Sequence, residues 1–362
     1  MSEININRIN LMMGLRCNFK CRHCIQTDAL ELDDVSRIDK KVFDYIHHLI
    51  DIRPNFLDKI QLYFWGGEPL LYMNIIKRFV DEYGHKLSYR IVTNGSLLTK
   101  EIVNYFNENN FRVALSNDGP HTDKVRRVNV LENKKIISLF KKIKNREIDA
   151  VVSAHNQNYH ELWTYLESKL GEGVHVSTEP LLYTWDMPED LYDFDFEAYK
   201  KQMTDIVDTA YSELVHGRPS REYTVISRDV SKILHVIEGN KPHYKYSCRQ
   251  MQDFINIDLN GNMYTCHNCS DTVGKAGDNW DDMEKKYDEI VSSRDFSDCE
   301  TCPCLSICQY GCPNVRPSKG KEATCKIRKI NYLAAIDFIK KLQGTLEEVD
   351  LSDEFKDSLH QA

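Results

Sequence analysis

The chain has 362 residues, 41% of them hydrophobic, which is enough for one large domain and a small one around a buried core. The formal net charge of -8 excludes the basic surface of a dedicated nucleic-acid binder. No window holds the roughly 18 to 20 apolar residues of a transmembrane helix, and no apolar signal core opens the chain, so we expect a cytoplasmic protein without a membrane partner. In that reducing compartment, twelve cysteines indicate metal ligation or thiol chemistry.

Up to about residue 180, short apolar runs alternate with longer segments of helical period, as in repeated βα units around a parallel sheet. The predicted strands are Ile6–Gly14, Lys59–Trp65, Tyr89–Thr93, Phe111–Ser116, Ala150–Ser153 and Val174–Glu179. The predicted helices include Ile75–Tyr83, Lys100–Asn107 and Lys135–Ile143. Six strands are too few to close an eight-stranded barrel, so we predict an α/β fold with a partial, TIM-like (β/α)6 barrel open on one side.

The second half of the chain changes character. Residues 196–238 have a helical period, and nine of the twelve cysteines then fall between Cys248 and Cys325, which indicates a small segment held together by metal. Within it, the alternating runs of residues 253–265 around Asn260-Gly261 predict a β-hairpin. A last helix is predicted over residues 327–342, followed by an acidic tail.

The first cysteine motif is CxxxCxxC, formed by Cys17, Cys21 and Cys24 directly after the first predicted strand. Loops at this end of parallel strands usually carry active sites. Three thiolates suit a cubane iron-sulfur cluster with one open iron better than a structural zinc site, which takes four ligands. His23 is poorly placed to be a fourth zinc ligand because it is adjacent to Cys24.

This motif, with His23 as the aromatic-type residue before the last cysteine, resembles the hallmark of the radical S-adenosylmethionine (SAM) superfamily. Three further motifs follow at predicted strand ends in the order expected of that family: Gly66-Gly67-Glu68-Pro69, Thr93-Asn94-Gly95 and Ser116-Asn117-Asp118-Gly119-Pro120. The resemblance implies a 4Fe-4S cluster whose open iron binds SAM, and reductive cleavage to a 5'-deoxyadenosyl radical.

The resemblance also assigns cofactor-binding residues. Residues 66–69 would hold the amino group of SAM, with Glu68 pairing with the ammonium group. Short polar groups at the next strand ends would meet ribose hydroxyls and other polar edges of the ligand. The full set of assigned residues is His23, Gly66, Gly67, Glu68, Pro69, Thr93, Asn94, Ser116, Asp118 and Arg126, with Arg127 an equal candidate for the arginine. Each motif alone would also fit an ordinary turn.

The C-terminal cysteines resemble the SPASM domain of sulfatase maturases and many peptide-modifying radical SAM enzymes, which carries two auxiliary 4Fe-4S clusters. The resemblance assigns Cys248, Cys266 and Cys312 to the first auxiliary cluster, and Cys299, Cys302, Cys308 and Cys325 to the second. Cys269 would be either a further ligand or a thiol hydrogen donor, and Cys304 a bystander. From spacing alone, one or two zinc ribbons remain the alternative.

These assignments divide the chain into a radical SAM core (1–225), a helical bridge (226–247), a SPASM domain (248–328) and a C-terminal helix with an acidic tail (329–362). The expected cofactors are SAM and three 4Fe-4S clusters, one SAM-binding and two auxiliary. The expected function is removal of a hydrogen from a peptide or protein residue, leading to crosslinking, oxidation or epimerisation.

Three alternatives stay open. Within the superfamily these are an anaerobic sulfatase maturase or a small-alcohol dehydrogenase; outside it, a zinc-stabilised scaffold with a degenerate core. Sulfatase maturases carry an aspartate after the second SPASM cysteine, where this chain has His267, a candidate base. Expected partners are a peptide or protein substrate and a reductant such as flavodoxin or ferredoxin. Because only sixteen residues precede Cys17, leader recognition would use another surface or a separate protein.

Overall fold

The structure is a computed structural model. It describes residues 6–26, 38–53, 59–181, 187–218, 220–238, 248, 250–267, 271–312 and 319–343, with the backbone alone for Pro180 and Lys319. The strands are β1 (Arg8–Met12), β2 (Gln61–Trp65), β3 (Ser88–Thr93), β4 (Arg112–Ser116), β5 (Asn145–Val152), β6 (His175–Pro180), β7 (Phe254–Asp258), β8 (Asn262–Tyr264) and β9 (Thr272–Lys275).

The helices alternate with the first six strands and then dominate the C-terminal part. They are α1 (Lys40–Asp51), α2 (Met73–Tyr83), α3 (Lys100–Glu108), α4 (Thr122–Arg126), α5 (Lys134–Phe140), α6 (Tyr159–Leu170), α7 (Phe196–Val215), α8 (Arg221–Ile237), α9 (Trp280–Ser292), α10 (Ser297–Glu300), α11 (Leu305–Cys308) and α12 (Lys319–Gln343). None of these described helices combines the length and apolarity needed to cross a membrane.

All strands of the described residues join one sheet, in the order β6-β5-β4-β3-β2-β1-β7-β8-β9. Strands β1 to β5 pair in parallel, which confirms the predicted βα arrangement. The predicted hairpin also forms, as β7 and β8, and β7 pairs in parallel with β1. The sheet therefore extends beyond the six predicted strands, because a C-terminal segment adds to the edge of the first strand.

Consecutive residues of β1 and β2 are buried, so both faces of these parallel strands are covered. Ile9 and Leu11 of β1 are fully buried, as are Leu62 and Phe64 of β2. Helices α1 and α2 each bury one apolar stripe, as expected for helices packed on a sheet. Asp39 caps α1 and Thr99 caps α3, each side chain accepting a backbone N–H of the first turn.

The chain divides into two compact units. The first comprises residues 1–156, 160–179 and 249–294, and therefore contains the sheet and its helices. The second comprises residues 157–159, 180–248 and 295–362, in which α7, α8 and α12 pack on one another. The four domains expected from the sequence stay predictions; the hairpin assigned to the cysteine-rich part belongs to the first unit.

Candidate active site

The loop after β1 carries the three N-terminal cysteines. Burial raises the pKa of the thiols of Cys17, Cys21 and Cys24, to about 11 for Cys21. The charge of Arg126 opposes this rise at Cys21 and Cys24, whereas the charges of Cys17 and Cys24 add to it at Cys21. The three thiols therefore lie in one electrostatic neighbourhood beside a cation, as the ligands of an anionic cluster should.

The turn after β2 lies directly against this cysteine loop. Gly67 N donates to Gly14 O and Glu68 N donates to Arg16 O, each at 2.9 Å. A Cβ atom on Gly66 would lie 2.5 Å from Gly14 O, and one on Gly67 would overlap the Arg16 carbonyl. The two glycines thus allow close approach to the backbone that leads into Cys17, a partner that the sequence did not reveal.

Glu68 is buried at the centre of this arrangement, with 1% of its surface exposed. Its Oε1 accepts from Leu70 N at 3.0 Å and from Thr93 Oγ1 at 2.7 Å, and its Oε2 accepts from Asn94 N at 2.8 Å. Burial raises the pKa of Glu68, and these three hydrogen bonds oppose the rise. An ionised carboxylate has about four acceptor positions, so one remains that fits the amino group of SAM.

The Thr93-Asn94-Gly95 turn is also tied to the cysteine loop. Asn94 Nδ2 donates to Asn18 Oδ1 at 2.9 Å, and Asn18 Nδ2 donates to Ser96 Oγ at 2.8 Å. Phe19 N donates to Cys17 Sγ at 3.3 Å. Thr93 and Asn94 therefore help to hold the loops around the site in place. The contacts predicted between these two residues and SAM stay predictions.

The fourth-strand motif contains a buried ion pair. Arg126 Nε lies 2.6 Å from Asp118 Oδ2 and Nη2 lies 3.0 Å from Asp118 Oδ1, and Asp118 Oδ1 also accepts from Val151 N. Arg127 has a left-handed backbone with φ of 66° and is exposed. Of the two candidate arginines, Arg126 alone therefore has its side chain buried beside the cysteines. Ser116 ends β4 and is half-buried.

His23 lies between two of the cysteines and is 6% exposed. Burial, followed by the charge of Arg126, lowers the pKa of His23 to about 4, so its ring is neutral at pH 7. Its buried Nδ1 has no hydrogen-bond partner among the described residues. A neutral ring with an open nitrogen fits the predicted contact with a polar edge of SAM.

Trp65, at the end of β2, contacts a second aromatic ring. The ring of His267 meets the Trp65 ring edge-on, with centroids 4.8 Å apart, and burial lowers the pKa of His267 to about 4. With its amide oriented to satisfy both atoms, Gln26 donates to Gly66 O at 2.6 Å and accepts from Trp65 Nε1 at 3.3 Å. Sequence reasoning missed Trp65 and Gln26 as site residues. Cys269 lies outside the described residues.

A charged layer on β3, β4 and β5 was also unforeseen. Arg90 Nε lies 2.9 Å from Glu147 Oε1 and Nη2 lies 2.8 Å from Asp149 Oδ2, while its guanidinium sits 4.7 Å from the centre of the Tyr63 ring. Burial raises the pKa of Asp149 to about 6, although the charge of Arg90 opposes the rise. This charged layer was hard to predict from the sequence because charged residues interrupt the apolar pattern of β5.

A second group of thiols lies in the second unit. Burial raises the pKa of Cys299 and Cys325; Cys308 raises both further, and Cys302 also acts on Cys299. These interactions link all four cysteines, of which Cys299 lies in α10, Cys308 ends α11 and Cys325 lies in α12. Among the described residues, no three His, Cys, Asp or Glu side chains are close enough to hold a single metal ion.

Cys304 contacts this group although it is not one of the predicted ligands. It is 2% exposed, and its hydrogen bond to Cys302 lowers the pKa of the Cys302 thiol to about 6. The remaining predicted ligands are half-buried: Cys248 and Cys312 belong to the second unit and Cys266 to the first. Their shared cluster stays a prediction.

Comparison with known proteins shows which family the part of the chain around the first site resembles. Residues 11–168 match the family described as the radical SAM superfamily. These residues form a radical SAM domain. The family implies SAM and a 4Fe-4S cluster, which the geometry around Cys17, Cys21 and Cys24 fits. This part of the chain, under half of its length, is therefore similar to radical SAM enzymes.

Two curated relatives extend this result. The radical SAM cyclopropyl synthase TigE of Paramaledivibacter caminithermalis is 31% identical over 132 residues, which are 32% of this chain and 28% of that protein. The cysteine-type anaerobic sulfatase-maturating enzyme of Clostridium novyi is 23% identical over 368 residues, covering 88% of this chain and 94% of that enzyme. The match to TigE thus spans under a third of either protein.

Solved structures show the fold. The structure described as native anSMEcpe with bound AdoMet, which is SAM, has a TM-score of 0.69 at 18% identity, covering 94% of this chain and 100% of that one. Streptococcus suis SuiB bound to its precursor peptide SuiA has a TM-score of 0.61 at 17% identity, covering 87% and 75%. The α/β radical SAM fold of this chain, followed by a cysteine-rich region, is thereby confirmed.

Proposed function

We propose that this radical SAM enzyme modifies a peptide or protein substrate and that it carries three 4Fe-4S clusters. The observation that supports this most strongly is the second gathering of thiols, Cys299, Cys302, Cys308 and Cys325, in a unit separate from the radical SAM domain. SuiB, whose structure resembles this one, binds a precursor peptide. A cysteine-ligated centre in addition to the SAM-binding one suits a net oxidation, such as crosslinking, because the substrate must lose electrons as well as hydrogen.

When bound at Cys17, Cys21 and Cys24, the cluster and SAM supply a 5'-deoxyadenosyl radical. The protein's own residues have two tasks around it. Glu68, held by Thr93 and Asn94, offers a buried acceptor to the amino group of SAM. Arg126 places a fixed positive charge near the thiolates and stabilises their deprotonated form.

Proton acceptance from the substrate would fall to His267, beside Trp65. Its lowered pKa keeps the ring neutral, which is the form that accepts a proton, although it makes the base weak. Epimerisation would instead need a thiol hydrogen donor, the role proposed for Cys269. Crosslinking or oxidation is the leading proposal for the reaction.

The second candidate is an anaerobic sulfatase maturase. It is favoured by the match to the Clostridium novyi enzyme over 88% of this chain. His267 stands where those maturases carry an aspartate, and this weakens the proposal. Formation of formylglycine on a cysteine- or serine-containing peptide, detected with an aldehyde-reactive hydrazide, would favour this candidate. A small-alcohol dehydrogenase would oxidise a small alcohol and leave peptides unchanged.

The test is anaerobic reconstitution of the full chain, followed by iron and sulfide analysis and a deoxyadenosine assay with SAM and a strong reductant. We expect about twelve irons per chain, and about eight in a variant with Cys17, Cys21 and Cys24 all replaced by Ala, with SAM cleavage lost in that variant. Retained cleavage would contradict the site. Zinc without cleavage would indicate the scaffold alternative.

The substrate would then be sought among short peptides encoded near the gene. Each peptide would be incubated with the enzyme, SAM and a flavodoxin or ferredoxin. Mass spectrometry would show a loss of two hydrogens for crosslinking or oxidation, and hydrogen exchange with solvent at one carbon for epimerisation. We propose that the protein acts in the cytoplasm, and that a separate protein or another surface binds any leader peptide.

A further inference from the structure

Arg328 reaches the second cysteine group from α12, one turn after Cys325. Its Nη1 donates a hydrogen bond to Cys308 Sγ at 3.3 Å. The Tyr332 hydroxyl, one turn further along α12, interacts electrostatically with the same cysteine. One side of α12 therefore presents a cation and a hydroxyl group to a single predicted cluster ligand.

Among the described residues, no carboxylate forms an ion pair with Arg328, whose guanidinium donates to sulfur instead. Asp229, an acidic side chain whose charge interacts with that of Arg328, forms its ion pair with Lys232, at 3.9 Å. An arginine side chain is not deprotonated in proteins. The guanidinium therefore stays charged beside the thiolate.

The loop between Cys308 and Cys312 has an unusual conformation around this guanidinium. Gln309, Tyr310 and Gly311 are consecutive residues with φ of 49°, 61° and 66°. A left-handed backbone is unfavourable for each residue other than glycine. A Cβ atom on Gly311 would overlap Arg328 Nη1, so glycine at this position leaves room for the guanidinium. Backbone strain of this kind is concentrated at functional sites.

We propose that Arg328 sets the reduction potential of the cluster bound by Cys299, Cys302, Cys308 and Cys325, through its hydrogen bond to Cys308 Sγ. The inference rests on the proposed function, which places a cluster on these thiolates. Gaining one electron makes the cluster more negative, and a nearby cation with an N–H···S hydrogen bond stabilises that reduced form. Arg328 is a positioning residue, since it ligates no iron.

The test uses full-length, anaerobically reconstituted protein in which Cys17, Cys21 and Cys24 are replaced by Ala, so that only auxiliary clusters are observed. Redox titration followed by electron paramagnetic resonance compares this parent with an added Arg328→Gln change. We expect one of the two couples to show about a tenfold lower ratio of reduced to oxidised cluster at a given potential, equivalent to a shift of about -59 mV for one electron.

The matched control is Lys326→Gln, which removes a positive charge from the same helix. Lys326 follows Cys325 in sequence, but its Nζ lies 4.2 Å from the centre of the Phe196 ring, so we expect the potentials of this variant to equal those of the parent. An equal shift in both variants would overturn the inference, because it would show a general effect of charge rather than the Cys308 contact.

The other outcomes separate the two proposals. A parent without auxiliary iron would overturn the proposed function itself. Auxiliary iron with unchanged potentials in Arg328→Gln would overturn only the role of Arg328. If Arg328→Gln fails to retain iron, Arg328→Lys decides, because it keeps the charge but loses the planar fork: a lowered potential supports the inference, and the parent's potential overturns it.

Discussion

Arg126 and Arg127 are adjacent in sequence but differ completely in environment. Arg126 is 9% exposed and forms two contacts with the fully buried Asp118, whereas Arg127 is exposed. Removing one partner of a buried ion pair leaves an uncompensated charge and costs roughly 3 to 5 kcal/mol. The two neighbours are therefore a matched pair for mutation.

We predict that Arg126→Gln lowers the thermal unfolding temperature clearly and reduces iron retention at the first cysteine site. Arg127→Gln should change the free energy of unfolding by no more than about 0.5 kcal/mol. Thermal unfolding followed by circular dichroism, with iron analysis of the same samples, measures both effects. Equal losses in the two variants would contradict the assignment of Arg126 to the site.

Asp149 should make stability depend on pH. Burial raises its pKa from 3.8 to about 6, so the folded protein binds more protons than the unfolded chain between these values. The stability that the protonated Asp149 carboxyl contributes is fully present below pH 4 and is lost as the pH rises through 6. The maximum effect is about 3 kcal/mol, from a shift of about two units.

Asp149→Asn lacks this titration. Its unfolding temperature relative to the natural protein should therefore rise between pH 4.5 and pH 7.5, whatever constant offset results from losing the contact with Arg90. Thermal unfolding of both proteins under anaerobic conditions at several pH values gives the comparison. A difference that stays constant over the range would show that Asp149 titrates normally.

At the scale of elements, the turn after β2 determines the position of the cysteine loop. The Gly67 backbone has no left-handed strain, but a Cβ atom there would overlap the Arg16 carbonyl. We predict that Gly67→Ala displaces the loop and lowers iron content by up to about four per chain. Gly84→Ala is the control, because Gly84 has open space around it and a left-handed φ of 48°.

Iron loss in Gly67→Ala with full iron in Gly84→Ala would show that contact with the cysteine loop matters more than local backbone strain. Full iron in both variants would contradict this role of the turn. Iron analysis after anaerobic reconstitution measures this effect, since Gly67 contacts the backbone that leads into Cys17.

Most elements of the barrel could be predicted from the sequence because apolar periodicity reports burial. β5 was predicted only from Ala150, although it begins at Asn145, since Glu147 and Asp149 face arginines across the sheet and break the pattern. α12 begins at Lys319, eight residues before the predicted Ile327. Pairing of β7 with β1 joins residues about 246 apart, and local patterns carry no information on such contacts.

The cysteines could be predicted from their spacing in the sequence, but the contacts around the site residues could not. Glu68 was placed by its motif, whereas its contacts with Thr93 and Asn94 depend on how neighbouring strands end side by side. Cys304 has no place in the predicted ligand pattern, and its contact with Cys302 results from the short turn that carries both. Contacts of this kind require the fold as well as the motif.

At the scale of the whole molecule, the two groups of thiols lie in different compact units. The first group is entirely in the first unit, and Cys299, Cys302, Cys308 and Cys325 are entirely in the second. If each unit holds its own cluster, removing the second cluster should leave SAM cleavage in place. Modification of a peptide should nevertheless fail, because a net oxidation needs a further acceptor for electrons.

We therefore predict that a variant with Cys299 and Cys302 replaced by Ala loses about four irons, still produces deoxyadenosine from SAM, and gives no modified peptide. Cys304→Ala is the matched control: Cys304 is buried beside Cys302 but is not a predicted ligand, so it should keep about twelve irons and its activity. Loss of SAM cleavage in the double variant alone would show that the second cluster supports the first site. Modified peptide from the double variant would remove the auxiliary cluster from the reaction.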